Sequence, residues 1–86
     1  MATQEDFDAA VSAVNGLTRA PSAGEQLKLY GLFKQASKGD ATGKRPGMLD
    51  MRGRAKYDAW AGKQGMSAED ARAAYIELAK TLGADV

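Results

Sequence analysis

Apolar residues recur at helical spacing along four stretches of this chain, and nothing in it reads as the two-residue alternation of a strand. Phe7, Ala10, Val11, Val14 and Leu17 form the first stripe behind a Thr3-to-Asp6 capping signal, which predicts a helix over 4–16 with Gly16 weakening its last turn. Ser22 and Glu25 repeat that signal, and Leu27, Leu29, Tyr30, Phe33 and Ala36 carry a second helix over 22–38, where Gly39 can supply a left-handed cap. Gly39, Gly43, Pro46 and Gly47 then break the period and predict a long loop over 39–49, of the kind more often ordered and functional than slack. Asp50 caps a third helix running to about Lys63 and closed by Gly65. Ser67 and Asp70 open the fourth, from Ala68 to about Leu82, which should bury Ala71, Ala74, Tyr75, Leu78 and Leu82.

None of these helices can hide its apolar stripe alone, so the expected fold class is all-α, a four-helix bundle around one core. Short turns join helices one and two, and helices three and four, which predicts antiparallel neighbours within each pair. The long loop between helices two and three permits both to point the same way, and the expected topology is up-down-down-up. At 86 residues the chain predicts a single domain, 1–86, with a modest core.

Composition narrows the chemistry. The chain has no histidine and no cysteine, which removes the usual neutral-pH proton shuttle, thiol nucleophiles, disulfides and the commonest zinc ligands. No phosphate-loop motif, dinucleotide fingerprint, acid–base pair or metal-ligand spacing is present, so the expectation is a protein that is not an enzyme and uses no cofactor. No basic-then-apolar leader and no apolar run of roughly 20 residues is found. The chain therefore reads as soluble and cytoplasmic.

The net charge of +1 conceals an uneven distribution. Residues 1–27 carry one base and four acids, residues 28–63 nine bases and three acids, and residues 64–86 two bases and four acids. A positive middle between acidic flanks suits one anionic ligand held locally better than a long polyanion. A solvated lysine-rich helix face produces the same count.

Within that middle segment, rings and cations come together. Tyr30 and Lys34 are four residues apart, as are Lys56 and Trp60, so each pair shares a helix face. A phenol donor beside two ammonium groups is suited to phosphate, and Phe33 and Tyr57 offer rings that can stack on a purine. Tyr30 fits a half-buried core position equally well, Phe33 on its own reads as core, and Trp60 reads as structural. Tyr75, the only aromatic in the last helix, can line a groove or plug the core. Arg52 and Arg54 stand on the unfavourable end of the third helix dipole, which points to a placement unrelated to helix stability.

At these residues the sequence resembles the acyl-CoA-binding protein family, from about Thr3 to Leu82 without a gap. The resemblance is carried by Tyr30-x-x-Phe33-Lys34-Gln35-Ala36, Gly39-Asp40, Arg45-Pro46-Gly47-Met48-Leu49-Asp50, Lys56-Tyr57-Asp58-Ala59-Trp60 and Ala71-x-x-x-Tyr75. It implies an up-down-down-up bundle that binds, carries and buffers long-chain acyl-CoA esters without altering them. It also implies residue roles. Tyr30, Lys34 and Lys56 would hold the ribose 3′-phosphate and Phe33 would pack on adenine. Arg52 and Tyr75 would contact the remaining head group and the pantetheine end, and Phe7, Ala10, Val11 and Leu27 would line the acyl groove. Three positions depart from the family's usual pattern: Phe33 is often tyrosine, Tyr57 often tryptophan, and Asn15 often lysine, which removes one phosphate-facing charge. A monomer is expected, with acyl-CoA-using enzymes or membrane surfaces as transient partners and no nucleic acid. The alternative is a small helical protein-interaction module without CoA binding; a nucleic-acid-binding domain ranks behind it because of the acidic flanks.

Overall fold

Each predicted helix forms, and its own first-turn chemistry explains why. In this computed structural model, which describes residues 3–86, the helices are α1 (Gln4–Asn15), α2 (Ala23–Lys38), α3 (Met51–Ala61) and α4 (Ala68–Thr81). Met1 and Ala2, the first residues of the expected 1–86 domain, lie outside the described part. Thr3 and Ser22 make full capping boxes: Asp6 N–H donates to the Thr3 hydroxyl at 3.1 Å, Glu25 N–H to the Ser22 hydroxyl at 3.2 Å, and both acids accept in return. The Ser67 hydroxyl accepts from Asp70 N–H at 3.0 Å and the Asp50 carboxylate from Gly53 N–H, also at 3.0 Å. Such caps satisfy N–H groups that a helix start leaves without partners. Gly16 and Leu82 act as C-caps and α3 stops at Ala61, so three of the helices end slightly earlier than their periodicity suggests.

The side-by-side order of the helices differs from the expectation. Helices joined by short turns do not pack backbone to backbone; instead α1 packs on α4, α4 on α2, and α2 on α3. The row of helices makes a slab whose Cα extents are 37 × 28 × 15 Å. Small side chains explain the arrangement. Ala10 in α1 and Ala71 and Ala79 in α4 are buried, which lets α4 slot between its neighbours. Gly31 does the same for α3: a methyl group there would lie 2.5 Å from the Ala59 carbonyl oxygen and 2.9 Å from its carbon.

Contacts along each seam fix the directions. Tyr30 meets Lys56, Gly31 meets Ala59 and Lys34 meets Trp60, so α2 and α3 run parallel. The Gln35 side chain, near the end of α2, reaches the Met66 carbonyl just before α4, while Pro21 and Glu25 face Thr81 and Leu82, so these two helices are antiparallel. Phe7 packs edge-on against Tyr75, and Ala13 lies near Ala84, which makes α1 parallel to α4. The bundle is up-down-down-up.

One polar knot ties the long loop to the bundle. Gln35, buried in α2, donates from Nε2 to Asp40 Oδ1 and to the Met66 carbonyl, both at 2.8 Å. Asp40 Oδ1 also accepts from Gly65 N–H at 2.8 Å. Gly39, with φ of 82°, turns the chain out of α2, and its carbonyl accepts from Trp60 Nε1 at 2.7 Å. The Gly65 N–H and then Gln35 hold the Asp40 carboxyl below its ordinary range. A carboxylate depressed in the folded state contributes stability above its unfolded pKa and loses it as pH falls through the folded value.

Two outcomes test this account. Asp40→Ala should lower the melting temperature, and the gap between wild type and variant should narrow as pH falls below about 4. Gly31→Ala gains at most about 1 kcal/mol of helix propensity but meets an overpacking cost of about 1–3 kcal/mol, so urea unfolding should show net destabilisation.

Candidate functional site

Two hollows open on either side of α2 and share one wall. The first, about 440 Å³, lies toward α1 and α4 and is lined by Val11, Asn15, Leu29, Phe33 and Tyr75 among others. The second, about 650 Å³, lies between α2 and α3 and is lined by Ala23, Leu27, Met51, Arg52, Ala55 and Lys56. Tyr30 and Gln26 border both. The volumes fall within the roughly 300–1,000 Å³ typical of small-molecule clefts.

Cations and rings do meet, across the seam between α2 and α3, in a different pairing from that read in the sequence. Lys34 Nζ stands 4.7 Å from the centroid of the Trp60 ring, and Lys56 Nζ 5.5 Å from that of Tyr30. Each lysine therefore sits over a ring of the neighbouring helix, not one on its own. The parallel register set at Gly31 produces the exchange, because it brings Tyr30 level with Lys56 and Lys34 level with Trp60. Ring faces carry partial negative charge and hold an ammonium group without neutralising it. Among the described residues neither lysine has a carboxylate within ion-pairing distance. Two ammonium groups without a carboxylate partner thus stand along the seam between α2 and α3, one of them over the Tyr30 ring.

The aromatic rings form a ladder beneath the first hollow. Phe33 is 37% exposed and stacks on Phe7 with centroids 5.9 Å apart, while Phe7 meets Tyr75 edge-on at 5.1 Å. Phe33 thus keeps accessible surface, where its pattern alone read as core. Phe7 and Ala10 are buried in the hydrophobic core and line neither hollow. Val11 belongs to the first hollow and Leu27 to the second, so the helix-one residues and Leu27 do not share a single groove. Arg52 and Tyr75 are likewise divided between the two. Burial of Tyr75 pushes its phenol above the usual tyrosine range, so it stays neutral and keeps its hydrogen. Asn15 is exposed at the edge of the first hollow.

Trp60 and Tyr57 serve the scaffold. Trp60 is buried with its indole N–H on the Gly39 carbonyl, and the Tyr57 hydroxyl donates to the Gly43 carbonyl at 3.1 Å. Beside them Arg45 donates to both Asp58 oxygens, from Nε at 2.8 Å and Nη2 at 2.7 Å. That bond lowers the Asp58 pKa and raises that of Arg45. Arg54 turns inward, and its buried Nε has no hydrogen-bond partner among the described residues.

The sequence pattern described as acyl CoA binding protein matches residues 4–79. The chain belongs to the acyl-CoA-binding protein family. It is 53% identical over 83 residues to an acyl-CoA-binding protein homolog of Manduca sexta, covering 95% of this chain and 92% of that one. It is 45% identical over 82 residues to an acyl-CoA-binding protein of Brassica napus, covering 95% and 89% respectively. Its fold is similar to that of acyl-CoA-binding protein 2 from Oryza sativa, with a TM-score of 0.87, 40% identity and coverage of 92% of this chain and 88% of that one. The family is one of non-enzymatic binding proteins, and membership does not favour the interaction-module alternative.

Sequence reasoning missed several lining residues of this family member. Gln26, Ala23, Met51 and Ala55 were not singled out, although Met51 and Ala55 are spaced i, i+4 on α3 as an apolar wall requires. The signal was hidden because α3 is short and has charged residues between them.

The cross-helix pairing can be checked without a ligand. Lys34→Ala should change the emission of Trp60, the sole tryptophan, while far-ultraviolet circular dichroism stays that of the wild type. Lys56→Ala should leave that emission unchanged, because its ammonium stands over Tyr30.

Proposed function

We propose that this chain reversibly binds long-chain acyl-CoA esters, carrying and buffering them without chemical change or a cofactor. One observation carries the reading: the Tyr30 phenol stands on the wall between a ring-floored hollow and an apolar one, with the uncompensated ammonium of Lys56 over its ring and that of Lys34 one helical turn further along α2. The names of the relatives agree with it. An acyl-CoA needs both surfaces, since its head carries several phosphate charges and its tail gains up to roughly 0.8 kcal/mol for each methylene removed from water.

On this proposal Tyr30, Lys34 and Lys56 hold the ribose 3′-phosphate. Adenine packs on the exposed face of Phe33 in the first hollow, with Val11 as apolar wall, Asn15 as a polar edge and Tyr75 below. Phe7 and Ala10 act from beneath, as the packing under that floor. The tail enters the second hollow along Leu27, and Arg52 at its rim meets the remaining head group. The protein works as a cytoplasmic monomer and exchanges its ligand with acyl-CoA-using enzymes and membranes; nucleic acid is not a partner. No helix among the described residues is long and apolar enough to cross a membrane, which is consistent with this role.

Calorimetric titration tests the reading. A long-chain ester should bind one to one and far more tightly than free CoA or the free fatty acid, with affinity that rises with chain length until the hollow is full and falls with salt. Lys34→Ala or Lys56→Ala should each weaken ester and free CoA alike, by roughly tenfold or more if a charge-assisted hydrogen bond is lost. Unchanged CoA binding in both variants would remove the phosphate assignment. Leu27→Asn should flatten the dependence on chain length while Val11→Asn leaves it intact; the reverse result would exchange the two hollows. Phe33→Tyr restores the phenol common in the family and should leave binding equal or up to about tenfold tighter.

A further inference from the structure

Two large apolar side chains stand where the fold makes no use of them. Met48 and Leu49 are the central residues of a turn closed by Asp50 N–H on the Gly47 carbonyl at 3.0 Å. Met48 is 79% exposed, Leu49 102%, and Met51 at the start of α3 is 78%. Turn tips favour Gly, Asn, Asp, Pro or Ser, and none of these three residues packs against the hydrophobic core. Contiguous exposed apolar surface of this kind marks an interaction site more often than an accident.

The loop that carries them is held in place. The Tyr57 hydroxyl bonds Gly43, Arg45 grips Asp58 with two hydrogen bonds, and Trp60 bonds Gly39. Asp50 is occupied in capping α3. The tip is therefore presented in a set conformation, and burying it in a partner would cost little ordering entropy.

Charge around the tip has one sign. Residues 44–56 contain five basic residues and a single acid, Asp50. Arg45 is neutralised by Asp58, whereas Lys44, Arg52 and Lys56 have no carboxylate within ion-pairing distance among the described residues. Met51, Arg52 and Lys56 also line the second hollow, so the ridge forms part of its rim.

We propose that Met48, Leu49 and Met51, flanked by Lys44 and Arg52, form a docking edge for the surface of an anionic lipid bilayer, inserting at headgroup depth. A projecting apolar tip suits a medium that yields around it, whereas a folded partner would need a matching pit. The flanking cations complement anionic headgroups, where each basic residue held near the surface strengthens binding by about fivefold. Docking in this pose turns the mouth of the second hollow toward the lipid. The physiological purpose rests on the proposed carriage of acyl-CoA; the docking itself rests on the ridge and its charge.

Co-sedimentation with vesicles of phosphatidylserine and phosphatidylcholine, against phosphatidylcholine alone, tests it on the full chain. Wild type should bind the anionic vesicles and release them as salt rises. Met48→Ser combined with Leu49→Ser should weaken that binding roughly tenfold or more, with ester affinity unchanged because neither residue lines a hollow. Lys44→Gln should weaken vesicle binding by a smaller factor. Leu49→Trp adds an indole at the tip, whose emission should shift to shorter wavelength with anionic vesicles only. Wild type that ignores anionic vesicles, a double variant that binds them undiminished, or an indole that does not shift would each overturn the proposal. Self-association removed by the double variant, without vesicle binding, would assign the ridge to a second copy of the chain and overturn it too. Vesicle binding through the ridge by a protein that binds no ester would uphold the docking edge and remove only the acyl-CoA reading.

Discussion

The site depends on the close approach of two backbones at Gly31 and Ala59. With no side chain at 31, α3 settles against α2, and a methyl group there would already lie 2.5 Å from a carbonyl oxygen. That contact sets both the spacing and the register of the parallel pair. The register in turn places Lys56 over Tyr30 and Lys34 over Trp60, so two cations reach one edge of the molecule held by rings of the opposite helix. The second hollow is the space left between these helices on one side of the contact. Helix propensity alone would replace this glycine; its presence reflects the demand of packing.

Parallel neighbours need a connection that travels back along the bundle, which is the physical reason for the long loop. Its ordering is distributed: a carboxylate at Asp40, a glycine carbonyl at 39, a phenol at Tyr57 and a guanidinium at Arg45 each tie it at a different point. The buried amide of Gln35 links the end of α2 to both Asp40 and the approach to α4. Loop and helix ends are thus held by several separate polar contacts at the edge of an otherwise apolar interior.

Much of the fold was legible in the sequence because helix starts are local. Thr3, Ser22, Asp50 and Ser67 each report a cap through residues only three positions away. The order of packing was not legible, because it depends on small residues such as Gly31, Ala71 and Ala79 whose partners are remote in sequence. At the site, Tyr30, Lys34 and Lys56 could be singled out by type and spacing, yet their cross-helix partners follow from the register. Phe7 shows the same boundary. Its spacing marks an inward face, but only the stacked ladder with Phe33 and Tyr75 makes it a floor beneath the first hollow.

Tyr30 borders both hollows, and this shared wall has a consequence for any molecule long enough to reach across it. Once one end is seated, the other is confined near its own hollow at a high effective concentration, so the second contact forms as an intramolecular step. Departure then becomes sequential. Either end can lift and return many times before both are free together, which lengthens residence without requiring a deep or closed cavity. A receiving surface can take hold of the lifted end while the other is still bound, and a shallow slab of four helices can thereby hold an amphiphile and still surrender it.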